Sequence, residues 1–266
     1  MNNKPETKIL SRREFLRNAT RLGISAGVLG VLAKLTGGLQ QAGASSRARD
    51  TRYRWAMVID LGACTGCNYC TYACQATNDT PDGITWNAVY HDTETFSQDV
   101  YIPRPCMHCE HAPCVDVCPV GATYYRHDGL IAMDYDKCIG CRYCQVACPY
   151  GARYFNWEAP SSQPNPMAPE WGTPEVARRP RGVVEKCTFC AQRIDAGLEN
   201  GLTPGMDYEA TPACVNACPV EARFFGDLNN PLSRVSRLLA EREHIALREE
   251  LGTHPRVFYL LPERMG

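Results

Sequence analysis

Beyond residue 45 the sequence has no apolar run of the roughly 20 residues needed to cross a bilayer, so no transmembrane helix of its own is expected there. Nor does it carry a positive surplus. The first 44 residues hold seven basic and two acidic side chains, which leaves 21 basic against 27 acidic residues and a net charge of −6 in the rest. That balance gives no electrostatic footing for nucleic acid. Histidine is scarce, and the six present form no ligand-spaced array. No organised acid–base constellation stands out either, so an enzyme acting alone is not expected.

Cysteine, by contrast, is abundant. Sixteen fall in four sets: Cys64, Cys67, Cys70, Cys74; Cys106, Cys109, Cys114, Cys118; Cys138, Cys141, Cys144, Cys148; and Cys187, Cys190, Cys214, Cys218. The third reads C-x2-C-x2-C-x3-C followed by Pro149, the bacterial ferredoxin run that wraps a [4Fe-4S] cluster. The first keeps that spacing with Gln75 in place of the proline. The second widens one gap, and the fourth inserts a long loop. Eight disulfides would suit an exported chain, yet disulfide scaffolds are small and do not repeat this run. Zinc favours two separated C-x2-C pairs, and the fourth set alone could be read that way. A third cysteine three residues on is not a zinc habit, and beside three such neighbours the fourth set reads as a cluster site. Sixteen thiolates match four [4Fe-4S] clusters with none left over.

The chain is internally duplicated. Residues 60–74 match residues 134–148 without a gap at an offset of 74, aligning Asp60 with Asp134, Gly66 with Gly140 and Tyr69 with Tyr143. The second and fourth sets echo each other through Cys118-Pro119-Val120 with Ala122, and Cys218-Pro219-Val220 with Ala222. Short apolar runs precede the early sets (Trp55 to Ile59, Leu130 to Met133), and aromatic pairs follow the later ones (Tyr124-Tyr125, Tyr154-Phe155, Phe224-Phe225). Too short for helices and rich in strand formers, they are predicted strands. Gly66 and Gly140 supply positive φ inside a cluster loop. Pro119, Pro149 and Pro219 end a helical turn. Tyr69, Tyr72 and Tyr143 are expected to shield clusters from water, and His108 and His111 to be supporting or surface groups rather than ligands.

Residues 1–44 read as a twin-arginine (Tat) signal peptide. Ser11-Arg12-Arg13-Glu14-Phe15-Leu16-Arg17 precedes a mildly apolar stretch from Ile24 to Leu39, and Ala42-Gly43-Ala44 offers a cleavage site. Clusters are assembled in a reducing cytoplasm, and a folded-protein export route suits a chain already loaded with them. The expected location is periplasmic, with membrane association through partners. Six prolines between Ala159 and Arg181 mark an irregular surface crossover. Near the end, Asn230-Pro231 is expected to open an amphipathic helix carrying Leu232, Val235, Leu238 and Leu239, with Gly252 as its stop and a closing strand from Val257 to Leu261.

The residues resemble a known family, the iron–sulfur electron-transfer (B) subunits of the dimethyl sulfoxide reductase type. The resemblance covers about residues 53 to 261. It is carried by Cys64 to Cys74, Cys106-Met-His-Cys109, Cys138-Ile-Gly-Cys141-Arg-Tyr-Cys144, Arg181-Gly-Val-Val-Glu-Lys-Cys187-Thr-Phe-Cys190 and Phe225-Gly-Asp-Leu-Asn229. Within the family, the stretch from the crossover through Arg178 to Cys190 is most similar to DsrO of the sulfite-reductase-associated membrane complex. The resemblance implies an α+β fold of duplicated ferredoxin-like modules, each holding two clusters, with an inserted crossover and a C-terminal helix and strand. Residues 53–100 with 183–226 would form one module and 101–158 the other, joined by 159–182 and followed by 227–266, all within a domain spanning 45–266.

The same resemblance implies crossed ligand sets: Cys64, Cys67, Cys70 and Cys218; Cys74, Cys187, Cys190 and Cys214; Cys106, Cys109, Cys114 and Cys148; and Cys118, Cys138, Cys141 and Cys144. Implied partners are an integral membrane quinone-interacting (NrfD-like) subunit and a cytochrome c or molybdopterin catalytic subunit. The expected role is an electron wire in sulfur-compound respiration. A B subunit of a tetrathionate- or polysulfide-type molybdopterin enzyme, or an NrfC-like or HybA-like carrier, is the alternative.

Overall fold

The computed structural model describes residues 52–96 and 99–262; the twin-arginine segment and its Ala42-Gly43-Ala44 site lie outside the described residues. The central strand β1, Trp55–Asp60, is buried along its whole length because both its faces are covered. Trp55, Met57 and Ile59 point into the main core with most of the cysteines, while Val58 packs with Phe224, Val235 and Leu260 on the other side. This is the period-2 alternation of a strand.

β1 sits inside a four-stranded sheet of order β8-β1-β10-β9, formed with β8 (Arg223–Asp227), β9 (His244–Ala246) and β10 (Val257–Leu260). It runs antiparallel to β8, with Met57 opposite Phe225, and parallel to β10, with Met57 opposite Val257. The strand before the first cysteine set therefore pairs with the strand after the fourth. The same exchange joins the inner sets, where β4 (Thr123–Tyr125), after the second set, pairs antiparallel with β5 (Ile131–Met133), before the third. Two further ribbons complete the strands. β2 (Ala88–Asp92) pairs with β3 (Val100–Arg104), and β6 (Tyr154–Phe155) pairs with β7 (Val184–Glu185).

The helices are short. The first, α1 (Tyr69–Thr77), holds Cys70 and Cys74. Single turns α2 (Pro113–Asp116), α3 (Tyr143–Val146) and α5 (Ala213–Asn216) each hold the third cysteine of a set, and α4 (Ala191–Glu199) follows Cys190. Among the described residues no helix is long and apolar enough to cross a membrane.

The C-terminal helix is shorter than its sequence pattern suggests. α6 spans Arg234–Glu241, opened by Ser233, whose hydroxyl accepts from the Ser236 N–H at 3.2 Å. Leu232 precedes it and stays 78% exposed, so it is not part of the buried face. The helix ends at Arg242, where the chain turns extended, pairs through that side chain with Asp60 and adds β9 to the sheet edge. Gly252, expected as the helix stop, instead follows a separate 3-10 turn at Glu249–Leu251. The pull toward β9 is tertiary: Ile245 pairs with Tyr259, and that strand contact wins over helical periodicity.

The proline-rich crossover lies along α1 and is pinned by side chains. Asn165 donates to the Gln75 carbonyl at 2.9 Å, and Arg178 donates to Asp79 at 2.9 Å. Arg179, buried, donates through Nε to Glu185 at 2.6 Å and through Nη1 to the Asn78 carbonyl at 2.5 Å. Glu185 is fully buried and also accepts from Trp86 and Asn156, both at 3.1 Å. Removing one member of such a pair leaves a buried charge exposed to its own desolvation cost. Arg179→Leu should therefore destabilise the fold by about 3–5 kcal/mol, read as a lowered midpoint in thermal unfolding. Glu221→Gln, at an exposed pair with Arg234, should leave the midpoint nearly unchanged.

Candidate metal centres

The duplication seen in the sequence is repeated in the backbone. Gly66 and Gly140 have φ of 71° and 68°, and Asn68 and Arg142, two residues on, have φ of 64° and 63°. This left-handed pair wraps each loop back on its own cysteines before α1 and α3 begin. Glycine is required twice over at 140, where an added Cβ would lie 2.1 Å from the Gly182 carbonyl oxygen.

All sixteen cysteines are free thiols, and they gather four by four, but not in the order of the sequence sets. Cys64, Cys67, Cys70 and Cys218 line one pocket, and Cys118, Cys138, Cys141 and Cys144 line another. Cys74 lies within electrostatic range of Cys187, Cys190 and Cys214, and Asn78 Nδ2 spans Cys74 and Cys190 at 3.7 and 3.6 Å. Cys109 is in the same relation to Cys106, Cys114 and Cys148. In every group the fourth cysteine comes from the opposite set. Cys218 thus stands apart from Cys187, Cys190 and Cys214, which removes the zinc-like reading of the fourth set. Among the described residues no three His, Cys, Asp or Glu side chains close on a single ion.

The groups form a row. Cys70 of the first neighbours Cys214 of the second, and Cys187 of the second neighbours Cys106 of the third. Arg153 then links the third to the fourth through Cys114 and Cys144. Cys67 and Cys141 are the two exposed cysteines, one in each terminal group. They occupy equivalent positions of the repeat.

Donors converge on the sulfurs. The Thr123 N–H donates to Cys118 Sγ at 3.4 Å, the Ala222 N–H to Cys218 Sγ at 3.2 Å and the Phe189 N–H to Cys187 Sγ at 3.4 Å. Arg153 Nη2 donates to Cys114 Sγ at 2.9 Å, and Arg223 Nη2 to Cys214 Sγ at 3.5 Å. Burial, and then mutual repulsion with Cys106, pushes the Cys109 thiol up to about 12. Burial outweighs Arg223 in raising Cys214 to about 11. At Cys118 burial is outweighed by N–H groups of Thr123, Val120 and Ala122, and the thiol is lowered.

Supporting residues fall unevenly against expectation. His108 is fully buried; its Nδ1 accepts from the Ile131 N–H at 3.1 Å, so Nε2 donates to the Cys187 carbonyl, also at 3.1 Å. Burial, followed by Lys186, holds it well below the usual imidazole range, and it reaches no metal position. His111 is exposed. Tyr69 and Tyr72 pack on Trp171 at 4.6 and 5.2 Å, whereas Tyr143 is 62% exposed and shields little. Sequence reasoning passed over Arg153, Lys186 and Arg223. The available signal was Ala152-Arg153 and Ala222-Arg223, each placed identically after a Cys-Pro.

Four thiol groups, N–H donors aimed at their sulfurs and the buried Arg223 Nε and Nη1 atoms with no protein partner fit an anionic iron–sulfur cluster in each group. When bound, such clusters store and pass single electrons. Gly140→Ala should therefore displace the 138–144 loop, lowering the thermal midpoint and iron content by about one cluster per chain. Gly121→Ala, at φ 63° with open space around it, should cost only about 1–2 kcal/mol and no iron.

Comparison with known proteins gives the same class of cofactor. A 4Fe-4S dicluster domain profile matches residues 63–122 and 137–222, and a second of the same description matches residues 97–165. The chain is 45% identical over 222 residues to the iron-sulfur B subunit of a putative dimethyl sulfoxide reductase of Halobacterium salinarum, covering 77% of this chain and 78% of that one. It is 44% identical over 235 residues to the menaquinone reductase iron-sulfur cluster-binding subunit of Nitratidesulfovibrio vulgaris, covering 81% and 91%. It is 36% identical over 278 aligned positions to the Hdr-like menaquinol oxidoreductase iron-sulfur subunit 1 of Archaeoglobus fulgidus, covering 94% and 98%. The mixed helix–strand fold, the dicluster domains and these relatives place the chain in the family of iron–sulfur B subunits of dimethyl sulfoxide reductase-type oxidoreductases.

Proposed function

We propose that each thiol group holds one [4Fe-4S] cluster, and that the chain is a non-catalytic wire carrying electrons between a membrane quinone-interacting subunit and a second redox subunit. The observation that carries this reading is the row of four groups with an exposed cysteine, Cys67 or Cys141, at each end. The inner groups are enclosed, with Cys74, Cys106, Cys109, Cys114, Cys187, Cys190 and Cys214 all buried. Electrons would enter and leave through the ends while the interior excludes water. No group has fewer than four thiols, so none is left open for substrate.

The quinone link is supported by two relatives whose names carry menaquinone or menaquinol, while the DsrO-like, sulfur-respiratory reading rests on the resemblance from the crossover through Arg178 to Cys190. A molybdopterin partner, as in the tetrathionate and polysulfide enzymes, is the second reading, favoured by the likeness to the Halobacterium dimethyl sulfoxide reductase protein. Residues 1–44 are assigned to twin-arginine export into the periplasm.

Purification of the native complex from membranes decides between partners. A multihaem cytochrome with an integral quinol subunit is the expected result, and a molybdopterin protein would replace it with the second reading. The isolated chain should carry about sixteen iron atoms. Cys141→Ser should lower that by up to one cluster and cut quinol-linked electron flow; unchanged flow through the assembled complex would defeat the wire. Replacing Arg12 and Arg13 by lysine should hold the loaded chain in the cytoplasm, as judged by cell fractionation.

A further inference from the structure

Among the described residues three cations are buried without a carboxylate partner. Arg153, Lys186 and Arg223 are only 2%, 0% and 3% exposed. Among the described residues none of them pairs with Asp or Glu; the charged neighbour that weighs most on each is a cysteine, although Lys186 also feels Arg153. An isolated buried charge is costly, so each site calls for an anion.

Their positions follow the row of thiol groups. Arg223 donates to Cys214 of the second group at 3.5 Å and lies near Cys70 and Cys218 of the first. Lys186 is held by the carbonyl oxygens of Ile131 and, at 2.8 Å, Cys187. Its charged neighbours are Cys106 of the third group, Arg153, Cys187 of the second group and Cys114 of the third. Arg153 donates to Cys114 of the third at 2.9 Å and lies beside Cys144 of the fourth. Four groups leave three intervals, and each interval contains one cation. The two arginines also stand at equivalent places in the repeat, five residues beyond Cys148 and Cys218. After Cys118 the same place is Thr123, whose hydroxyl accepts from Arg153 at 3.1 Å, so the third interval receives a single charge.

We propose that Arg153, Lys186 and Arg223 are potential-setting residues, each placing one positive charge between two neighbouring clusters and raising the reduction potentials of both. This rests on the four-cluster reading. Adding an electron to a cluster raises its negative charge, and a fixed cation in low dielectric offsets that more than a surface charge does. The buried charges also offset the repulsion between adjacent reduced clusters, so neighbours can be occupied together at a higher potential. Screening by salt reaches them poorly, so the potentials should vary little with ionic strength.

The test is EPR-monitored potentiometric titration of the full chain, loaded and purified anaerobically, with iron counted first. Wild-type chain with far fewer than four clusters would sink the underlying reading before any variant is compared. With four present, Arg223→Met, Lys186→Met and Arg153→Met should each lower the potentials of the two flanking clusters and leave the remote pair unmoved. The expected size is at least tenfold in the one-electron equilibrium, about 59 mV. Arg223→Lys and Arg153→Lys should restore most of the shift. Full iron content with unchanged potentials, or equal shifts in all four clusters, would overturn the assignment. If a methionine variant loses iron, the glutamine variant keeps a polar donor without charge, and wild-type potentials there overturn it equally.

Discussion

The fold depends on one constraint: every thiol group is completed by a cysteine from a distant stretch of chain. Cys218 joins Cys64, Cys67 and Cys70, and Cys74 joins Cys187, Cys190 and Cys214. The antiparallel pairing of β1 with β8 enforces this by setting Ile59, just ahead of the first loop, opposite Arg223, just beyond the last. β4 and β5 do the same for the inner groups over a much shorter loop. Loop-closure entropy grows only slowly with length, so the long exchange is affordable once a buried strand pair holds its ends. The proline-rich crossover is free to be irregular because Arg179 and Glu185, rather than its own backbone ladder, fix where it lies.

How much of this was legible follows from what each feature depends on. The thiol loops were readable because Gly66 and Gly140 meet a local demand for positive φ at fixed distance from their cysteines. The strands flanking the sets announced themselves through short aromatic and β-branched runs. The β2–β3 ribbon did not, since Val89 and Pro103 face each other in a stretch with only partial burial and no clean alternation. The C-terminal helix was overextended because Leu238 and Leu239 set a period that β9 interrupts for a tertiary reason. Spacing alone left the grouping of Cys218 undetermined, and resemblance supplied the crossing. Arg153, Lys186 and Arg223 were invisible as a set because their shared property is location between groups.

Those cations bear on how the protein becomes stable. Without anions in the four groups, the described interior would hold three uncompensated positive charges and nine buried thiols, several of them pushed up by burial. Unpaired buried charge costs several kcal/mol, and closely packed thiols resist ionising together. One step relieves both. Clusters held by these cysteines would draw the thiols into their ionised form, and that negative charge would compensate the Arg153 and Arg223 guanidinium groups and the Lys186 ammonium group. On the proposed cluster reading, folding and cluster binding would be thermodynamically coupled in this chain, with the buried cations as the link.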